Sequence, residues 1–150
     1  MSAGWWLRVV TVLSAVAVTV GAQSAPQLRG SWRATVGARV LQGTWTATLD
    51  PKMANLAQGS WTLVEANRVV LQGTWAAEKQ GAGWRGAWSA LVATGRAGAA
   101  PMTGTWQATV KDTATATLVD MLQRTAQVQV DGTWRSGQRS GGWSIVGTAP

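Results

Sequence analysis

Few residues in this chain could carry acid–base or nucleophilic chemistry. Its 150 residues include no His and no Cys. That excludes an imidazole base, a thiolate nucleophile, a disulfide and a zinc site of the usual ligand types. The acids are Asp50, Glu65, Glu78, Asp112, Asp120 and Asp131, too dispersed to read as a carboxylate pair for glycoside chemistry. A serine nucleophile would need lysine as its base, and Lys52, Lys79 and Lys111 belong to no serine–lysine motif. Gly95-Arg96-Ala97-Gly98 is a flexible loop rather than a phosphate cradle. No cofactor motif and no metal-ligating cluster is present, and the residue types point to a non-enzyme.

Indole is what the chain has in excess. It holds 11 Trp and neither Tyr nor Phe. Such rings can line a site for an apolar ligand or fill a core, and each buries roughly 150–250 Å². At about 25 cal/mol/Å² that is at most roughly 4–6 kcal/mol per ring, so packing alone is a sufficient reason for them.

Their spacing identifies the elements that carry them. Gly-Ser/Thr-Trp recurs at Gly30-Ser31-Trp32, Gly43-Thr44-Trp45, Gly59-Ser60-Trp61, Gly73-Thr74-Trp75, Gly104-Thr105-Trp106 and Gly132-Thr133-Trp134. Gly86-Ala87-Trp88 is an altered copy, and Gly142-Trp143 reads as a remnant of another. From Trp32 to Trp88 the copies are 13 to 16 residues apart, one strand plus a short turn and too short for a helical repeat. Around each Trp the sequence alternates: Leu28, Gly30, Trp32, Ala34 and Val36 share one face, and Arg29, Ser31, Arg33 and Thr35 the other. A period of two with Thr and Trp enrichment is a half-buried strand.

The predicted strands are 28–36, 39–49, 56–65, 68–79, 82–93, 102–111, 128–136 and 140–148. Turn signals separate them at Gly37-Ala38, Asp50-Pro51-Lys52, Ala66-Asn67 and Gln80-Gly81, and between Gly95 and Pro101. The fold class is therefore all-β: an antiparallel up-and-down meander of about eight strands, expected to close into a barrel. Residues 112–126 interrupt the pattern. Capped by Asp112, they predict a short helix near 113–125 with Leu118, Met121, Leu122 and Thr125 on one face; their Thr/Ala alternation allows a strand extension instead. The glycine two residues before each Trp leaves a hollow that an indole of the neighbouring strand can cover, and it permits the coiling that a small barrel needs.

Residues 1–24 read as a signal peptide. Arg8 precedes an apolar run from Val9 to Gly21, and small residues allow cleavage after Ala22 or Ser24. Trp5 and Trp6 fall within it, and an uncleaved anchor is the alternative reading. Residues 25–150 then form one barrel domain, exported to a periplasmic or extracellular location and needing no cysteine for stability. With hydrophobic residues at 46% and mean hydropathy near zero, two arrangements are open. The Trp face turned inward gives a soluble barrel; turned outward it gives an eight-stranded outer-membrane barrel. Mid-strand Trp, a Gly/Ala-rich apolar face and the Val146-Gly147-Thr148-Ala149-Pro150 ending favour the first.

The Gly-x-Trp of the first strand resembles that of the avidin and lipocalin group of small barrels, and Gly83-Trp84-Arg85-Gly86-Ala87-Trp88 is similar to the Gly-Trp-x-x-x-Trp strand of the avidins. The resemblance implies the fold, and it would place Trp88 in a ligand site. It does not imply biotin binding, because Ala34 and Val36 follow Trp32 where polar ligands stand in that family, and Tyr is absent.

Two classes of function follow. In the first, Trp32, Trp45, Trp61, Trp75, Trp88, Trp106 and Trp134 line a site for a small apolar ligand. In the second, the same rings fill the barrel of a structural or assembly protein. The net charge of +7 adds a further expectation. Arg29, Arg33, Arg85, Arg135 and Arg139 form either an anion-facing surface or a solvated exterior. No aromatic residue interleaves with them, so base stacking and sequence-specific nucleic-acid binding are not expected. Glu65 shares the Trp face; at a strand end it is solvated, and buried it would carry a raised pKa. Oligomeric state, ligand identity and the pairing of the last strand with the first stay open.

Overall fold

The computed structural model describes residues 27–50, 52–81, 83–95, 98–109 and 117–148. The signal peptide over 1–24, with its cleavage sites and Trp5, Trp6 and Arg8, lies outside them, as do Pro51, Arg96, Lys111 and Asp112.

Eight antiparallel strands run in chain order: β1 (Gln27–Val36), β2 (Arg39–Leu49), β3 (Leu56–Glu65), β4 (Arg68–Gln80), β5 (Gly83–Val92), β6 (Met102–Thr109), β7 (Val130–Ser136) and β8 (Arg139–Gly147). One helix, α1 (Leu118–Arg124), stands between β6 and β7. Each strand pairs with its successor, and β8 returns to β1 in register from Gly30 opposite Gly147 to Ala34 opposite Trp143. The barrel is closed.

Strict alternation decides the register. A one-residue slip would move every indole to the outside, so the pattern that forms the strands also aligns them. Tight turns do the rest. At Ala66-Asn67 both residues have positive φ, 47° and 61°, the geometry whose twist suits a two-residue hairpin.

The Trp-bearing parity faces inward. The outer face carries Thr, Ser, Gln and Arg, with hydroxyl pairs across neighbouring strands at Thr44–Thr62 (2.7 Å), Thr46–Ser60 (2.8 Å) and Thr74–Ser89 (3.0 Å). The core lies toward one end, where Ala47, Leu49, Ala57, Ala77, Trp84 and Val130 meet Leu118, Met121 and Leu122 of α1. The helix plugs this end and is fastened by Val119 N–H to Ala54 O (3.1 Å) and Gly147 N–H to Thr125 O (2.8 Å).

The helix differs from its sequence expectation in its start. Thr117, not Asp112, is the N-cap, in a reciprocal capping box with Asp120. Its buried face is the expected one, with Leu118, Met121, Leu122 and Thr125 all buried. Strand limits shift by a residue or two, β5 ending at Val92 and β7 beginning at Val130.

Candidate functional site

The lumen is built from a single device repeated four times. Within each hairpin the two strands exchange glycine for indole. Trp32 stands opposite Gly43 and Gly30 opposite Trp45 in β1–β2, and Trp61 opposite Gly73 and Gly59 opposite Trp75 in β3–β4. Trp88 with Gly104 and Gly86 with Trp106 repeat this in β5–β6, and Trp134 with Gly141 and Gly132 with Trp143 in β7–β8.

The glycine is needed for two simultaneous contacts. A Cβ on Gly43 would strike the Thr62 carbonyl oxygen of the next strand and come within 2.8 Å of Trp32 Nε1. The coiled sheet has brought that carbonyl over the glycine, and the indole N–H reaches across to it: Trp32 Nε1–H donates to Thr62 O at 2.8 Å. The arrangement recurs in Trp45 to Val146 O (3.2 Å), Trp61 to Ser89 O (3.1 Å), Trp75 to Thr46 O (2.8 Å) and Trp134 to Thr35 O (3.2 Å). Trp143 donates instead to Thr133 O at 2.9 Å. Each of these rings stitches strands together and spends its donor on the backbone. Its π faces and edges are left to the lumen.

Because neighbouring strands run in opposite directions, the rings fall into two tiers. Odd strands contribute Trp32, Trp61, Trp88 and Trp134, nearer the end with the Gly37-Ala38 and Ala66-Asn67 turns. Successive rings of this tier meet edge-to-face, with centroids 5.6, 5.9 and 6.4 Å apart. Even strands contribute Trp45, Trp75, Trp106 and Trp143, with Trp75–Trp106 at 6.2 Å and Trp106–Trp143 at 5.5 Å.

A cavity of about 290 Å³ runs among these rings. It reaches Met121 and Leu122 of α1 at its floor and opens at the opposite end between Val36, Leu41, Leu71 and Met102. Its volume is at the lower limit of the roughly 300–1,000 Å³ usual for ligand sites. Ser136 and Arg139 are the polar residues of its wall. The Ser136 hydroxyl donates to Thr103 O at 2.6 Å. Around the opening Val40, Val69, Val92 and Met102 are exposed, a rim of apolar strand ends.

All seven sequence-identified indoles line this cavity, together with Trp143. Trp143 is a full member of the repeat: its glycine is Gly141, the position two residues back, and not the adjacent Gly142. Counting positions on the inward face would have found it. Trp84, also inward, lies below the tiers in the plugged end, where Lys79 Nζ sits 5.0 Å from its ring centroid.

The five arginines do not form one patch. Arg29, Arg33 and Arg135 are exposed on β1 and β7, the strands either side of β8, and Arg85 is across the barrel on β5 opposite Glu78. Arg139 departs from the expected exterior position. As the residue paired with Ser136 across the β7–β8 turn it takes the inward parity and lines the opening. Glu65 is solvent-exposed and ion-paired with Arg39 at 3.1 Å. The carboxyl of Asp120 is held below its usual range by bonds from the Thr117 backbone N–H and hydroxyl, with Arg124 and Lys79 adding to the effect; it serves the helix cap, outside the lumen.

No protein-family model, curated protein or solved structure matches the chain.

Proposed function

We propose that this protein is an exported, non-catalytic binding module whose barrel takes a small apolar ligand through one open end. The observation that carries the reading is the indole-walled cavity of about 290 Å³, plugged by α1 on one side and open on the other. A barrel meant only to be filled has no reason to keep such a hollow, since each void forfeits the contacts of its lining. The hydrogen-bonded indoles pre-form the walls, so a guest need not order them, which lowers the cost of binding.

The non-catalytic part rests on the chemistry of the wall. Ser136 and Arg139 offer no base, and the described carboxylates are scattered over the ends and the outer face. Export rests on the N-terminal apolar run, and an outer face of Thr, Ser, Gln and Arg suits water better than lipid tails, supporting a soluble barrel in the periplasm or outside the cell.

A ligand in the lumen touches indoles directly, so titrating the intrinsic Trp emission with a panel of fatty acids, alcohols and small aromatics tests the proposal. A saturable quench or spectral shift is expected with at least one of them. A flat response to the whole panel would sink it and favour the second reading, a structural protein whose interlocked edge-to-face rings serve as core.

A further inference from the structure

The wall of the cavity carries one charged side chain, Arg139. The indole N–H groups of Trp32, Trp45, Trp61, Trp75, Trp134 and Trp143 are already bonded to backbone carbonyls, and the Ser136 hydroxyl has donated to Thr103 O. The indole N–H groups of Trp88 and Trp106, deeper in the lumen, are neutral donors, which leaves the guanidinium of Arg139, at the opening, as the charged group that can address a guest. No described carboxylate is placed to neutralise it. Glu65, the acid at this end of the barrel, is bonded to Arg39. Asp50, Glu78, Asp120 and Asp131 lie toward the plugged end, on the β2–β3 connection, late β4, α1 and early β7.

An arginine at the lip of an apolar slot presents planar, permanently charged donors beside a surface that excludes water. A neutral apolar guest would gain nothing from it. A guest with an apolar body and one terminal anionic group would bury its body among the rings and pair its head with Arg139 while the head stayed at the water boundary. Desolvation is then small and the charge-assisted bonds are kept. The cavity also extends from the opening to Met121 and Leu122 past both tiers of indole, a shape suited to a single chain rather than a broad disc.

We infer that the ligand is a single-chain anionic amphiphile, entering tail first, and that Arg139 selects its head group. The inference rests on the apolar-ligand reading given above and adds the charge requirement to it.

Three probes of equal chain length separate the two ideas: decanoate, 1-decanol and decylamine, each below its micellar concentration at neutral pH, titrated against the Trp emission and checked by calorimetry. Decanoate is expected to bind about ten-fold more tightly than decanol, and decylamine more weakly than either. Arg139→Gln should remove the advantage of decanoate and leave decanol unchanged, Arg139→Lys should retain part of it, and Arg135→Gln, on the outer face, should change nothing. An unaltered thermal midpoint and near-ultraviolet dichroism would establish that Arg139→Gln is folded. Equal binding of decanoate and decanol, or a decanoate preference that survives Arg139→Gln, overturns this inference and leaves the apolar-ligand reading standing. Failure of all three probes to bind overturns both.

Discussion

At the scale of single residues, two adjacent glycines show how local the requirement for absent side chains is. A Cβ on Gly141 would strike the Thr35 carbonyl oxygen and crowd Trp134 Nε1 at 2.7 Å, whereas one on Gly142 would meet nothing closer than Thr35 Oγ1 at 3.7 Å. Gly141→Ala is therefore expected to cost about 3 kcal/mol, since backbone and ring must both retreat. Gly142→Ala should be neutral or stabilising by up to about 1 kcal/mol, because it restricts the unfolded chain at no steric cost. Urea denaturation of the pair checks both; equal effects would mean that the glycine–indole exchange does not set the spacing. This contrast also marks what the sequence could show. The seven Gly-Ser/Thr/Ala-Trp copies are visible as triplets, but in Gly141-Gly142-Trp143 the adjacent glycine masks the one that matters and the eighth copy reads as a remnant. Arg139 reads as exterior for a related reason. Period two puts Arg139, Gly141 and Trp143 on one face, so an alternation counted back from Trp143 rather than from Gly142 turns Arg139 inward, paired with Ser136.

At the scale of elements, one hairpin and one helix carry measurable consequences. Ala66 sits at φ 47°, a left-handed conformation in which its Cβ crowds the following carbonyl. Ala66→Gly should relieve this and stabilise the barrel by about 0.5–1 kcal/mol, read as a raised thermal midpoint; a lower midpoint would mean that chain entropy outweighs the relief. The plug has a pH dependence of definite sign. The Thr117 backbone N–H and hydroxyl both donate to Asp120 Oδ2 at 2.8 Å, so the folded carboxyl has a lower pKa than the unfolded one. The folded state binds this proton less readily. The contribution is therefore complete above the ordinary aspartate range and is lost as pH falls through the lowered value. Thermal midpoints of the wild type and Asp120→Asn should differ near neutral pH and converge on acidification; a gap independent of pH would show that the carboxylate charge is irrelevant to the cap. The strands were legible because alternation is a property of neighbouring residues. The helix was less so, since the Asp112 signal competed with the Thr117–Asp120 capping box and both precede the same apolar face.

At the scale of the whole molecule, closure is the long-range event. The other strand pairings join consecutive segments, while β1 meets β8 only after the chain has gone once around. Nothing in the alternation announces this, because closure depends on contacts between residues about a hundred positions apart, such as Trp45 with Val146 and Trp134 with Thr35; the seat of α1 likewise depends on non-local bonds, Val119 to Ala54 and Gly147 to Thr125. Removing residues 139–150 should leave unpaired edges on β1 and β7 and an unsupported α1. On size exclusion the shortened chain is expected to run as larger assemblies than the full chain. Elution as a compact species of unchanged association state would show that seven strands close without the eighth.

The edge-to-face contacts of the upper tier have an optical consequence. Chromophores with centroids 5.6 to 6.4 Å apart do not absorb and emit independently, because their transition dipoles couple at such separations. Excitation delivered to Trp32 is free to migrate through Trp61 and Trp88 to Trp134 before it is emitted. This tier is expected to act as one antenna: a guest that quenches a single ring at the opening should darken the chain of rings behind it, and the emitted light should be depolarised even when the protein is rigid.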